Sequence, residues 1–415
     1  MVNITIMTKP TTTSGKPKVL LLENIHSVAR DLFLQRGFEV ESLKTALSPE
    51  ALVDKLKGYQ VLGVRSKTAI PADLFSKAPH LFALGCFCVG TSHVDLDAGL
   101  ENGVPIFNAP FSNTRSVAEM VISHIVALAR QIGQRNVEMH QGIWNKKSDG
   151  CYEVRGKTLG IIGYGNIGSQ LSNLAEALGL KVIYYDVLTK LTLGNAKPYN
   201  EFEDVLRDSD FITFHVPATS LTKNMLSTEE LKRLKRGAYV INASRGTVVD
   251  IPALVEAVKS GQVGGAAIDV YPEEPEANTK TFSSALVGLP NVILTPHIGG
   301  ATEEAQSNIG REVATSLIRH MTEGATDGAV NFPVVRTVPA EFSGHRLLNV
   351  HRNVPGVLKD INQIVSSSGA NIQSQNLATN PEVGYLVMDF DRPLPAECIK
   401  AIDGLETSIR TRVIS

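Results

Sequence analysis

The chain has little cysteine: four residues in 415, at Cys86, Cys88, Cys151 and Cys398. No Cys-x-x-Cys pair occurs among them, and so few scattered thiols leave no plausible disulfide framework. Cys86-Phe-Cys88 is not followed by His or Cys at zinc spacing, so no metal site is expected and the thiols read as small buried side chains beside a strand. Unpaired thiols suit a reducing compartment, and the cytoplasm is the expected location. Excess charge of either sign is also missing. Forty Lys and Arg stand against 42 Asp and Glu, a net −2, which gives no general pull toward nucleic acid or an anionic membrane. No apolar run approaches the ~20 residues that span a bilayer. Residues 1–17 are rich in Thr, Pro, Ser and Gly, lack the apolar block of a signal peptide, and are expected to form a flexible tail.

What is present is a hydrophobic content of 43% with 20% charged residues, in a length that suggests two or three domains. The most informative run is Leu159-Gly-Ile-Ile-Gly163-Tyr-Gly165-Asn-Ile-Gly168. A strand is expected over Leu159–Ile162, a helix over Ser169–Leu178 ended by Gly179, and a second strand over Lys181–Tyr185 with Asp186 at its tip. The count 186 − 163 places that acid 23 residues beyond the first glycine, close to the ~20 of a dinucleotide fold. Gly163 permits the tight turn, Gly165 lets amides approach a pyrophosphate, and Gly168 allows close helix–sheet packing. The helix N-terminus favours the anion. Asp186 can accept from a ribose diol and would repel a 2′-phosphate, so the cofactor is expected to be NAD.

Strands and helices alternate from residue 18 to about 320, which implies parallel sheets covered on both faces. Further strands are expected at Lys18–Leu22, Val61–Val64, Leu81–Leu84, Val104–Phe107, Phe211–Phe214, Tyr239–Asn242, Ala266–Asp269 and Val292–Thr295. A helix is expected at Ser27–Gln35, one long helix at Ser116–Met139, and another at Glu303–Met321. The dinucleotide domain is therefore placed at 113–300, interrupting a domain made of 18–112 and 301–330, with the two crossings acting as a hinge. Residues 331–343 read as an extended linker, because proline restricts the residue before it. Beyond it, 344–415 gives βαββαβ: strands at Arg346–Val350, Ile372–Ala378, Gly384–Phe390 and Ser408–Ile414, helices at Gly356–Ser367 and Ala396–Ile402. That is a small ferredoxin-like module.

Three polar residues follow successive strands of the dinucleotide domain: Arg245, Glu274 and His297. In open α/β folds the carboxyl ends of strands border the ligand crevice. Oxidation of an alcohol beside a carboxylate needs a fork of donors, which Arg supplies. It needs a base for the hydroxyl proton, which neutral His supplies, and an acid to orient that His, which Glu supplies. Taken singly, Arg245 could pair on the surface, Glu274 could be an exposed loop acid, and His297 could satisfy local backbone groups. Together beside a full cofactor motif they read as a catalytic trio.

These residues and the runs around them resemble the D-isomer-specific 2-hydroxyacid dehydrogenase family, in its phosphoglycerate-oxidising branch with a C-terminal ACT domain. The resemblance is carried by Val64-Arg-Ser-Lys-Thr68, Gly85-Cys-Phe-Cys-Val-Gly90, Phe107–Glu119, Gly142-Ile-Trp-Asn-Lys146, Ile241–Asp250, Ala267–Pro275 and Leu294–Gly300. It implies a Rossmann domain inserted in a flavodoxin-like substrate domain, and NAD-dependent oxidation of 3-phospho-D-glycerate to 3-phosphooxypyruvate at the start of serine synthesis. Reduction of 2-oxoglutarate to 2-hydroxyglutarate is a side activity it permits; a non-enzymatic NAD-sensing corepressor is the alternative within the same fold. It assigns Arg245, Glu274 and His297 the roles above. Asn166, Ile167, Asp186, Ala243, Ser244, Arg245, Asp269, His297, Ile298, Gly299 and Gly300 match cofactor-contact positions. Arg65, Ser66 and Lys67 match a phosphate-contacting loop, and the amides near Val89 and Gly90 a carboxylate site. Lys67 keeps a charge where some relatives carry Arg but loses its bidentate geometry. Trp144 and Lys146 match a loop at a subunit interface of a homotetramer. In the C-terminal module, His351, Asn353 and Asn371 match positions that bind L-serine as a feedback inhibitor. Two amides and a ring nitrogen suit a zwitterion. Read alone, both asparagines are turn residues. His345 stands where relatives can carry an arginine before Arg346, which puts a second anion site in doubt.

Overall fold

The computed structural model describes residues 16–275, 279–337 and 345–414. Most of the expected N-terminal tail, and the boundary between linker and C-terminal module, lie outside the described residues. The chain divides into two units, one holding the residues through Ser112 with those from Gln306 onward, the other Asn113–Ala305.

In the first unit, β1 (Lys18–Leu21), β2 (Glu39–Ser42), β3 (Val61–Val64), β4 (Ala83–Cys86) and β5 (Ile106–Phe107) form a parallel sheet. Their order is β2-β1-β3-β4-β5, the flavodoxin-like order, with its reversal between β1 and β3. Short runs such as Val-Leu-Gly-Val are apolar throughout because both faces are covered.

The second unit carries β6 (Thr158–Ile162), β7 (Lys181–Tyr185), β8 (Lys197–Pro198), β9 (Phe211–Phe214), β10 (Ala238–Asn242), β11 (Val263–Ile268) and β12 (Val292–Leu294). All are parallel, in the order β12-β11-β10-β9-β6-β7-β8, so the reversal falls between β6 and β9. Two hydrophobic clusters cover its two faces.

The C-terminal module adds β13 (Arg346–Arg352), β14 (Ile372–Thr379), β15 (Val383–Phe390) and β16 (Ser408–Ile414), antiparallel in the order β14-β15-β13-β16. Its helices Val357–Ser367 and Ala396–Asp403 cover one face. The other face packs on Leu100, Phe332 and Val335. There Arg346 and Arg412 donate to the carbonyls of Glu323 and His320, and Tyr385 to that of Gly324. These carbonyls end the helix Glu303–Glu323, where cations complement the helix dipole.

One long helix over Ser116–Met139 is not what forms. Thr114–Ala129 and Ile132–His140 are separate helices, with Gln131 left-handed between them (φ +53°). The apolar periodicity runs on, but burial does not: the first helix buries Val117, Val121, Ile125 and Leu128, the second no residue at all. With nothing holding a common axis, the chain turns at Arg130-Gln131.

Two strands start later than the sequence suggests, at Ala83 and Ile106. The helix after the glycine motif starts earlier, at Asn166. The described part of the 331–343 segment is pinned rather than loose. Asn331 accepts from Ile106 N (2.8 Å) and donates to the carbonyls of Leu96 and Val104, while Thr326 binds both Pro333 O and Val335 N. The four cysteines are free thiols, and burial pushes Cys86 up and Cys88 up to about 12. Among the described residues no helix is long and apolar enough to cross a membrane, and no cluster of acidic, His or Cys side chains could hold a metal.

Candidate active site

The dinucleotide loop leaves β6 at the strand-order reversal, where open α/β sheets hold their ligands. Gly163 is left-handed (φ +90°), and a Cβ there would run into the His215 carbonyl oxygen. A Cβ on Gly168 would meet the Gly163 carbonyl, whereas Gly165 faces open space and caps the helix Asn166–Ala177. Asp186 follows β7; its carboxylate accepts from Tyr164 N (2.8 Å) and Leu188 N (2.9 Å), which ties this acid to the glycine loop. Tight turn, unobstructed helix N-terminus and acid at the next strand tip together fit a dinucleotide.

The three catalytic candidates follow three neighbouring strands, β10, β11 and β12. His297 Nδ1 and Glu274 Oε2 are 2.7 Å apart, and the other oxygen of Glu274 accepts from Tyr271 N at 3.0 Å. The acid is thus fixed at both oxygens, which leaves the far ring nitrogen of His297 available. His297 is itself left-handed (φ +54°), a conformation uncommon outside glycine and held here by its neighbours. Its amide donates to Asp269 O. The Asp269 carboxylate, 1% exposed, accepts from Thr295 Oγ1 (2.6 Å), Ile298 N (2.9 Å) and Gly299 N (2.9 Å). Arg245 leaves β10 in extended conformation, and its guanidinium donates to Ser244 O at 2.7 Å.

Asn242, given no role by the motifs above, organises the Ala243–Arg245 turn. Fully buried, it accepts from Ser244 N and Oγ and donates to Arg245 O. An amide closing the apolar run Tyr-Val-Ile is the signal that marks it. His215, placed by β9 beside the glycine loop, lies outside those motifs; burial pushes its imidazole down to about 3, so it is neutral.

In the first unit, Arg65, Ser66 and Lys67 follow β3, and Val89 and Gly90 follow the adjacent β4. The structure therefore brings the two expected substrate segments to one edge of one sheet. The second loop is pinned where Asn108 Nδ2 donates to Val89 O (2.6 Å) and Ala109 N to Cys88 O (3.1 Å).

The three effector candidates do not converge within one chain. His351 is buried and shares a 2.9 Å hydrogen bond with Asn349, while Asn353 donates to Asn380 O at 2.7 Å. Both lie where Arg352 faces Val383, whereas Asn371 exchanges bonds with Asp391, beyond the end where Arg346 faces Asp389. Six residues of strand separate those ends, roughly 20 Å at about 3.4 Å per residue. Trp144, 79% exposed, sits near the exposed Met139 and Ile143, with Lys146 beside it.

Comparison with known proteins gives two family matches: the NAD binding domain of D-isomer specific 2-hydroxyacid dehydrogenases over residues 122–299, and an AHAS small subunit-like ACT domain over residues 347–410. Similar curated proteins include D-3-phosphoglycerate dehydrogenase of Dictyostelium discoideum, 50% identical over 98% of this chain and 99% of that one. The enzyme of the same name from Escherichia coli is 46% identical over 98% of this chain and 100% of its own. Among solved structures, D-2-hydroxyisocaproate dehydrogenase superposes with a TM-score of 0.70 at 27% identity, covering 76% of this chain and 100% of that chain. An NAD complex of a D-isomer specific 2-hydroxyacid dehydrogenase from Lactobacillus delbrueckii gives 0.66 at 26% identity, covering 73% and 97%.

Proposed function

Because the chain belongs to the D-isomer-specific 2-hydroxyacid dehydrogenase family and is an NAD-using oxidoreductase, we propose that it oxidises 3-phospho-D-glycerate to 3-phosphooxypyruvate. The observation that carries this reading is the 2.7 Å pairing of His297 with Glu274 at the strand ends beside a complete dinucleotide loop. NAD, held by the Gly163–Gly168 loop and Asp186, would supply a hydride acceptor for the substrate's C2. The free ring nitrogen of His297 takes the hydroxyl proton as that hydride leaves, and Glu274 stabilises the imidazolium that forms. Arg245 binds the carboxylate and the oxygen that becomes the ketone. Arg65, Ser66 and Lys67 hold the phosphate, and the amides at Val89 and Gly90 supply further donors for the carboxylate. The identity of 46–50% over 98% of this chain to proteins named D-3-phosphoglycerate dehydrogenase supports this choice of substrate.

We further propose that the ACT module binds L-serine and slows turnover. Because His351 and Asn353 lie roughly 20 Å from Asn371 within one module, a serine site using all three needs two copies of it. An oligomer, a tetramer by family resemblance, is the assembly this requires, and the exposed surface around Trp144 suits subunit contact.

An NADH-absorbance assay tests both parts, with 3-phospho-D-glycerate, 2-hydroxyglutarate and D-lactate in parallel, each with and without L-serine. Turnover is expected to be fastest with phosphoglycerate, slower with 2-hydroxyglutarate, and inhibited by serine. Preference for D-lactate would overturn the substrate assignment, and turnover indifferent to serine would overturn the regulatory one. Asn353→Ala is expected to weaken inhibition while uninhibited turnover stays near normal.

A further inference from the structure

We propose that Glu23 is the residue that positions the phosphate-binding loop, Arg65–Thr68. β1 and β3 are paired in register, Leu21 opposite Gly63, and they flank the strand-order reversal of the first sheet. Glu23 leaves β1 at that point and is 7% exposed. Its carboxylate collects three backbone amides from the loop leaving β3. Arg65 N (3.1 Å) and Thr68 N (2.9 Å) donate to Oε1, and Lys67 N (3.0 Å) to Oε2. Of the loop's four amides, only that of Ser66 is not engaged in this way.

The backbone at Glu23 is built for the purpose. Glu23 (φ +61°) and Asn24 (φ +54°) are consecutive non-glycine residues in the left-handed region. Strain of this kind persists only where the surroundings enforce it. Here Glu23 N donates to Thr45 O and Asn24 N to Leu43 O, while Leu22 N is bound to Gly63 O. The turn therefore swings the carboxylate under the neighbouring strand's exit. With its amides drawn inward, the loop buries Thr68 and leaves Ser66 and Lys67 at the surface, with Arg65 partly exposed.

A carboxylate suits this task where an amide or a shorter acid does not. Each oxygen must accept, which glutamine cannot offer at both positions, since its NH2 would face an N–H. Aspartate is one methylene short. Hydrogen bonds to an ionised acceptor are also stronger than neutral ones. The buried negative charge lies beneath a loop carrying two cations, neither of which has an ion-pair partner among the described residues.

The proposal rests on the reading of Arg65–Lys67 as the phosphate contact, and the test separates the two. The discrimination between 3-phospho-D-glycerate and unphosphorylated D-glycerate, as a ratio of kcat/KM, is measured for the parent, Glu23→Gln, Lys67→Ala and the double variant, with KM for NAD alongside. Glu23→Gln is expected to lower the discrimination by about tenfold, through KM, with KM for NAD within about twofold. Lys67→Ala is expected to cost less in the Glu23→Gln background than in the parent, because the loop is already displaced. Unchanged discrimination in Glu23→Gln, with a clear loss in Lys67→Ala, overturns the role of Glu23 alone. Unchanged discrimination in Lys67→Ala removes the phosphate loop and this inference with it. Hydrogen exchange in the unmodified protein needs no variant to fold: the Lys67 and Thr68 amides are expected to be protected, and exchange at the rate of an open peptide would also overturn the proposal.

Discussion

The two parallel sheets solve the same problem with side chains of different length. In the dinucleotide unit, Asp269 follows β11 and binds the loop leaving its neighbour β12; in the substrate unit, Glu23 follows β1 and binds the loop leaving its neighbour β3. Each carboxylate is buried and takes three hydrogen bonds. Asp269 also receives His297 N on its own carbonyl and donates its amide to Asn242 O, so backbone and side chain act together. Glu23 reaches its loop through the longer side chain from a left-handed turn. The shorter, doubly anchored acid supports His297, proposed here as the proton acceptor, where small errors in position are costly. The longer one supports the loop proposed to hold the substrate phosphate.

The contrast predicts that damage in the dinucleotide unit lowers kcat and damage in the substrate unit raises KM. The largest effect expected is from His297→Asn: kcat should fall about 10²–10⁴-fold while KM for phosphoglycerate moves little. A KM effect without a kcat effect would break the comparison. Next, Asp269→Ala leaves three donors without an acceptor, about 1–3 kcal/mol for each that stays buried. Denaturant unfolding should show a loss of several kcal/mol, and kcat should fall with it. Lys67→Ala should raise KM for phosphoglycerate about tenfold, as expected for one charge-assisted hydrogen bond, with kcat preserved.

The smallest effect is one of pH. Burial, reinforced by Arg412, holds His320 of the first unit well below 6.5. In the second unit, burial lowers His124 while the Asp269 charge opposes the shift. Unfolded histidine takes up a proton near 6.5, and the folded forms do so only at lower pH. Stability is therefore full above that value and falls as the pH drops below it, by at most about 1.4 kcal/mol per pH unit for each group. Melting temperatures between pH 7 and 5 should show the slope. His320→Gln should flatten it more than His124→Gln, and the reverse order would contradict the direction of the Asp269 effect.

Much of this was legible in the chain. Apolar runs marked the buried strands, and Gly163 to Asp186 marked the cofactor loop, because each signal depends on neighbours within about two dozen residues. Short helices such as Pro49–Lys55 and Thr228–Arg233 were not anticipated, although Ser48 before a proline and the Ser227–Glu230 capping box signal them locally. The break at Gln131 was not legible, since periodicity continues through it and only the end of burial distinguishes the two helices.

The sequence by itself determined where the chemistry hangs: strand, glycine turn, helix and acid follow one another in the chain, so continuity alone carries Arg245, Glu274 and His297 to strand ends. Strand order decided the rest. It sets Glu23 beneath a loop more than 40 residues away, and it puts Asn353 and Asn371 at opposite ends of one sheet. Glu23 meets its loop, and the two asparagines are held apart, only because paired strands fix distant segments in register, and hydrogen bonds across that register have no trace in local spacing.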